Sequence, residues 1–315
     1  MSKTLDYPHK PVMVNEVIRF LVTVSEGVYV DATVGSGGHS EAIGKEISSK
    51  GRLICLDRDP EAVRLSRERL SHLGERVTLI NANYAELSEI LEGLGIEKVN
   101  GILLDLGFSS YQIEQSGRGF SFNRDEPLDM RMDPGDEVTA QQMINNLSAN
   151  EIKRILRDYG EEKRAGIISR SIERERKKGP ITSSLQLAEL VRSVIPSSYR
   201  PGVIDPATRT FQALRIAVNR ETENIKIFLD KVPPLFAKGG RLVFLSYHSL
   251  EDRMVKQKMA GWEKGCTCPP DFPECACGKT PLFKRVNRKG IRPDKGETKD
   301  NPRARSAMLR ASERI

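Results

Sequence analysis

The chain has 315 residues, of which 38% are apolar, 30% charged and one is Trp. That gives room for about two domains and excludes collagen-like, mucin-like and wholly disordered classes. No apolar run reaches the roughly 18 residues of a membrane helix, and 50 Lys and Arg against 43 Asp and Glu leave a net charge of +7.

Residues 1–14 lack the apolar core of a signal peptide, so a cytoplasmic location and no membrane partner are expected. A short apolar run at 28–34 ends in the cluster Gly35-Ser-Gly37-Gly38, and a helix is predicted from Ser40 to about Ser48. Strand, helix, strand and helix follow at 52–57, 60–73, 77–81 and 84–94, then a strand at 99–106. Short buried strands separated by helices predict a parallel sheet in an α/β layer. Residues 107–135 break the pattern with Gly, Ser, Asp and Pro. Helical texture then covers 140–146, 148–159, 162–177, 184–195 and 207–223, with Ser148 and Ser184 as N-caps. A strand resumes at 241–247 after a Gly239-Gly240 turn, and a helix follows from about 250 to 259. The expected organisation is a first sheet segment at 1–108, an inserted helical domain at 109–224 and a second sheet segment at 225–315.

The charge is uneven. Residues 278–315 carry twelve Lys and Arg against four acids, or +8, and the remainder is near −1. A second basic run, 163–178, has seven Lys and Arg against two Glu. Clustered positive charge is the electrostatic signature of a polyanion partner such as RNA; a solvated helix face is the plainer alternative.

Cys55 lies in an apolar strand and reads as a small buried hydrophobe. The other four cysteines form one cluster, Cys266-Thr-Cys268 and Cys275-Ala-Cys277. A reducing compartment disfavours disulfides, so a structural zinc is one reading; reduced thiols and a redox disulfide stay open beside it.

The strand, glycine loop and helix around Asp31–Ser40 are suited to a nucleotide-like cofactor, because glycines let backbone approach a ligand. Asp57, twenty residues after Gly37, is placed to accept ribose hydroxyls. A nicotinamide dinucleotide site expects a third glycine at residue 40, where this chain has Ser40. S-adenosylmethionine carries no pyrophosphate, and Asp31-x-x-x-Gly35-x-Gly37 fits it better. Asp31 can order the loop, Tyr84 can stack near the adenine, and Asp105 can face the methionine amine or the acceptor. Core packing for Tyr84 and turn capping for Asp31 are the bland alternatives.

Longer strings then come in order: Gly37-Gly38-His39-Ser40, Asp105-Leu-Gly-Phe-Ser-Ser110, Arg118-Gly-Phe-Ser-Phe122, Pro127-Leu-Asp-Met-Arg-Met-Asp133, Pro206-Ala-Thr-Arg-Thr-Phe-Gln-Ala-Leu-Arg-Ile216, Ser246-Tyr-His-Ser-Leu-Glu-Asp-Arg253 and Asn301-Pro-Arg-Ala-Arg-Ser-Ala307. Over essentially its whole length the chain resembles the bacterial small-subunit ribosomal RNA cytosine-N4 methyltransferases, the methyltransferase H family. The resemblance implies a Rossmann-like α/β sheet binding S-adenosyl-L-methionine, with an inserted helical domain. It also implies cofactor contacts at Gly37, Gly38, His39, Asp57, Tyr84, Asp105 and Gln112. The implied substrate is a decoding-centre cytidine of 16S rRNA, met within the small ribosomal subunit; a homodimer is admitted beside it. The chain departs from the family pattern at Tyr111 (commonly Pro), Asp205 (commonly His) and Tyr247 (commonly Phe). The first bears on the turn that aims Gln112; the other two are expected to leave the chemistry unchanged.

Asp105 is the candidate acceptor for the target amine, and His248, Glu251 and Asp252 are secondary candidates for proton removal or RNA positioning, unless they only cap a helix. The base must leave its stack to react, so a cleft between sheet and insert is expected. Arg131, Arg209 and Arg215 are candidates there for RNA phosphates or for bridging the domains. Two other classes compete: a ribosome-assembly RNA-binding protein with an idle cofactor site, and a nicotinamide-dependent oxidoreductase.

Overall fold

Period-two alternation of large apolar side chains builds the sheet. In the computed structural model, which describes residues 11–107, 110–195, 205–266, 268–269, 273–274 and 276–315, the chain divides into two compact units. One comprises Met1–Gly107 and Glu223–Ile315, the other Phe108–Thr222.

The first unit begins with helix α1 (Val14–Leu21) and strand β1 (Val28–Asp31). It continues through α2 (Gly38–Glu46), β2 (Arg52–Asp57), α3 (Pro60–Leu70), β3 (Val77–Asn81), α4 (Leu87–Gly93) and β4 (Val99–Asp105). The second unit contains α5 (Ser110–Glu114), α6 (Ala140–Asn146), α7 (Ala149–Gly160), α8 (Ala165–Glu175), α9 (Ser184–Val194) and α10 (Ala207–Val218). Helix α11 (Glu221–Lys231) leads back to the first unit. There β5 (Phe236–Ser246), α12 (Ser249–Lys264), β6 (Phe283–Arg285), α13 (Lys295–Asp300) and β7 (Met308–Arg314) complete the order.

The sheet order is β3-β2-β1-β4-β5-β7-β6. Strands β1 to β5 pair in parallel, and β7 runs antiparallel to both β5 and β6. Alternate residues serve opposite faces. Ile54, Leu56, Ile102, Leu104, Leu242 and Phe244 join Leu87 and Leu91 of α4, Phe228 of α11 and Trp262 of α12 in one core. Leu53, Cys55, Leu103, Val243 and Leu245 join Val17 and Leu21 of α1 and Ile43 of α2 in the other. Both faces being covered explains why the strands read as apolar runs. Cys55 is fully buried among them. No helix among the described residues is long and apolar enough to cross a membrane.

The second unit has its own core, with Ile152, Leu156, Ile168, Ile172, Leu187 and Phe211 at its centre. Ser148 and Glu151 form a reciprocal capping box at the start of α7. The cap of α9 is Ser183 rather than Ser184; the Ser184 hydroxyl instead donates to the Arg124 carbonyl at 2.7 Å.

Three further expectations change. The helix predicted over 207–223 is two helices, because Arg220 adopts φ 50° and the Asn219 side chain is drawn to the Met130 and Arg215 carbonyls. The predicted Gly239-Gly240 turn lies inside β5, where Gly239 at φ 81° fits a register shift opposite Val99 and Gly101. The basic tail contributes β6, α13 and β7 and spends charge on the fold: Arg310 is buried against Asp252 at 2.6 and 2.9 Å. Arg285 pairs with Glu263 and Lys284 with Glu313, while Lys279, Lys289, Arg292, Lys295, Lys299 and Arg305 remain exposed.

Candidate active site

Parallel strands put their carboxyl ends on one edge, and four acidic or polar positions arrive there in register. Asp31 ends β1 beside Leu103 of β4, Asp57 ends β2 opposite Asn81 of β3, and Asp105 ends β4 opposite Leu245 of β5. The order reverses between β1 and β4, which is where open α/β sheets bind ligands.

The glycine loop is held from both sides. The Val34 N–H reaches the Leu56 carbonyl at 2.7 Å, and the Gly35 N–H reaches Asp57 Oδ2 at 2.9 Å. Gly37, at φ 80°, starts α2 in the left-handed conformation that a side chain resists. Gly38 has a packing reason for its identity: an added Cβ would come within 2.9 Å of Pro11.

Asp57 Oδ1 also accepts the Asp59 N–H at 3.0 Å. Each of its oxygens keeps a second lone-pair direction for a ligand hydroxyl. Burial pushes its carboxyl up to about 6, with those two backbone donors pulling the other way. Asp31 is fully buried and likewise raised by burial, opposed first by Ser40, whose hydroxyl donates to it at 2.6 Å, and then by nearby His39.

His39 is 6% exposed, and neither ring nitrogen has a hydrogen-bond partner among the described residues. Its Nε2 stands 3.6 Å from Asp105 Oδ2. The other oxygen of Asp105 accepts the Tyr247 hydroxyl at 2.7 Å, and its backbone N–H donates to Thr33 Oγ1 at 2.7 Å. Burial, and Asp105 after it, raise the Tyr247 phenol well above its ordinary value, so the hydroxyl stays a donor. Tyr247 therefore touches the candidate acceptor carboxylate, through a hydroxyl that the commoner Phe lacks.

The other candidates separate. Tyr84 follows β3 and sets its ring edge-on to Phe228 with centroids 5.8 Å apart, packed against the core. His248 is the N-cap of α12: its Nδ1 faces the Glu251 N–H at 3.5 Å and its Nε2 lies 2.9 Å from the buried Glu251 carboxylate. That is the capping geometry given as the alternative for His248, and Asp252 is paired with Arg310. Gln112 is buried on α5 of the second unit, so the cluster above is built from the first unit alone.

Of the candidate RNA arginines, Arg131 is folded into its own loop, bonding Asp129 and the Pro134 and Asp136 carbonyls. Arg215 is 6% exposed and donates to both oxygens of Glu221 at 2.8 and 2.9 Å. It cannot also grip a phosphate, which corrects that expectation. Arg209 is exposed on α10. Asp205 precedes the N-cap residue of α10, accepts the Ala207 N–H at 2.8 Å and pairs with Arg192.

Sequence reasoning did not single out Thr33, nor assign a role to Ser40 beyond its missing glycine. Ser40 was legible as a hydroxyl nine residues after Asp31, just across the glycine loop; the Tyr247–Asp105 contact joins residues 142 apart and leaves no local signal.

A glycine loop and three strand-end carboxylates at the switch point of this sheet define the methyltransferase class. The antiparallel β7 between β5 and β6 distinguishes it from the 3-2-1-4-5-6 dinucleotide sheet. The family model of the MraW methylase family matches residues 6–315, and the chain belongs to that family of S-adenosylmethionine-dependent methyltransferases. It is 46% identical over 312 residues to the ribosomal RNA small subunit methyltransferase H of Desulfosudis oleivorans, covering 99% of this chain and 100% of that one. The proteins of the same name from Symbiobacterium thermophilum and Heliobacterium modesticaldum are each 45% identical, over 97% and 98% of this chain and 96% and 99% of theirs. The site fits the cofactor: His39 offers two unsatisfied buried nitrogens, and Asp57 and Asp105 retain acceptor positions.

Proposed function

We propose that the chain methylates the N4 amine of a cytidine in the decoding centre of 16S rRNA, within the small ribosomal subunit and in the cytoplasm. The observation that carries methyl transfer is the convergence of Asp57, His39 and Asp105 on the glycine loop at one edge of the sheet. The choice of RNA is supported by the names of relatives aligned over nearly the full chain.

The bound cofactor supplies an electrophilic methyl group on a sulfonium. Asp57 would hold the ribose hydroxyls, with the loop at Gly37, Gly38 and His39 against the rest of the molecule and Tyr84 on the adenine side. A cytosine amine is a weak nucleophile because its lone pair is conjugated with the ring. Asp105 Oδ2, the oxygen that Tyr247 leaves open, accepts one amine N–H, which aims the lone pair and takes the proton as the new bond forms. Exposed basic residues then supply phosphate contacts: Arg209, the solvent face of α8 with Arg170 and Arg174, and the exposed lysines and arginines of 279–305.

Transfer of labelled methyl groups to small subunits and to naked 16S rRNA, followed by nucleoside analysis, tests this reading. N4-methylcytidine in the subunit reaction is the expected product. Cofactor binding with no incorporation into either substrate would favour the ribosome-assembly alternative instead.

Cofactor affinity should depend on pH through Asp57. The ionised carboxylate is the stronger acceptor, and it is lost as pH falls through about 6. Calorimetry between about pH 7.5 and pH 5 should show affinity dropping up to roughly tenfold per unit below that point. Asp57→Asn should bind weakly and without this slope; a wild-type protein with flat affinity over the range removes Asp57 from the ribose contact.

A further inference from the structure

We propose that Cys266, Cys268 and Cys277 bind a zinc ion that closes the connection between α12 and β6. Their sulfurs lie within 4.8 Å of one another, and Cys266 Sγ and Cys277 Sγ are 3.7 Å apart. A tetrahedral zinc with bonds of about 2.3 Å sets its sulfur–sulfur edges near 3.8 Å, whereas a disulfide needs about 2.05 Å. The separation is that of two ligands of one metal. The Cys268 N–H also points at Cys266 Sγ at 3.4 Å, a donor that stabilises a thiolate rather than a thiol. Cys275 lies outside the described residues.

The surrounding chain has little else to hold it. Among the described residues from 268 to 281, only Cys268 and Cys277 are even half-buried; Pro269, Pro273, Glu274, Ala276 and Gly278 to Pro281 are exposed. The described residues of this segment have neither secondary structure nor apolar cover, so burial does not offset their ordering entropy, and a metal does so directly. The two ends are already brought together. Gly265, at φ 66°, lies so close to Pro281 that a Cβ would come within 2.4 Å of its nitrogen, and the Leu282 N–H reaches the Trp262 carbonyl at 2.9 Å. The fold presents the loop base, and the thiols converge above it.

Position assigns the ion a structural role. Helix α12 starts just past the carboxyl end of β5 and, at 1.5 Å per residue, runs about 24 Å back along the sheet. Phe283 opposite Arg314 and Arg241 opposite Glu313 place the loop at the amino end of β5. Asp57, His39 and Asp105 occupy the carboxyl ends. Sulfur ligands at the edge away from the cofactor site make a staple, not a catalyst.

The test uses the full chain purified under reducing conditions. Elemental mass spectrometry should find about one zinc per chain. Cobalt replacing the zinc should give a thiolate-to-metal charge-transfer band and the visible bands of a tetrahedral site. Cys266→Ser and Cys277→Ser should lose both signals, while Cys55→Ala keeps them. The cobalt titration of the wild-type chain does not depend on any variant folding. A reduced wild-type chain that takes up neither zinc nor cobalt overturns the proposal. So does an anaerobically purified chain in which peptide mapping finds these cysteines joined as disulfides.

Discussion

Asp105→Asn should lower methyl transfer by about a hundredfold or more, the usual cost of losing a positioned proton acceptor, while cofactor affinity changes far less. The substitution keeps shape and removes the charge and one acceptor oxygen. Tyr247 makes the experiment sharper. Its hydroxyl bonds Oδ1 of the same carboxylate at 2.7 Å and so helps to hold its orientation. Tyr247→Phe should lower turnover by less than about tenfold, with cofactor affinity unchanged. If Asp105→Asn binds cofactor and turns over like the wild type, Asp105 has no part in the reaction.

The second large effect is on stability. Arg215→Ala leaves the Glu221 carboxylate, about 10% exposed, without the guanidinium that satisfies both its oxygens. Breaking a buried pair from one side costs about 3–5 kcal/mol, which in a unit of this size lowers its melting temperature by roughly 10–25 degrees. Replacing both residues, with Arg215→Met and Glu221→Leu, should recover most of that loss, because the desolvated charge is gone as well. RNA affinity measured well below the melting transition should be unchanged in Arg215→Ala. An unaltered melting temperature with weakened RNA binding would return Arg215 to phosphate gripping, one of the two roles that the sequence left open for it.

The parallel strands were legible because each is a short apolar run between turn residues: 52–57, 77–81 and 99–105 stand within a residue of where patterning puts their ends, while β1 stops at Asp31, three residues short of the apolar run at 28–34. The expected Rossmann-like methyltransferase sheet stands on these. Helix α1 carried a readable signal, Val14, Val17, Ile18 and Leu21 at helical spacing, that was overlooked. The break between α10 and α11 was not readable, since Asn219 is turned out of the helix by carbonyls of its own turn and of residue 130. The fate of the arginines was equally hidden. Arg131, Arg209 and Arg215 sit in similar motif strings, yet burial leaves one exposed and commits the other two to carboxylates. The glycine loop and its carboxylates were visible as types and spacing; what Asp105 and His39 touch depends on strands far apart in the chain.

The antiparallel β7 also bears on how this protein is made. β4 ends at residue 105, the helical unit intervenes, and β7 at 308–314 must slip between β5 and β6 before the sheet is closed. During synthesis the helical unit, a continuous stretch of chain, can fold while the sheet still lacks three of its strands. Until then β4 presents an unpaired apolar edge, the kind of surface that invites chaperones or aggregation. Sequence distance of this order slows folding. The methylase unit therefore waits on nearly the whole of translation, and a nascent chain stalled before residue 308 would carry a finished insert in an unfinished enzyme.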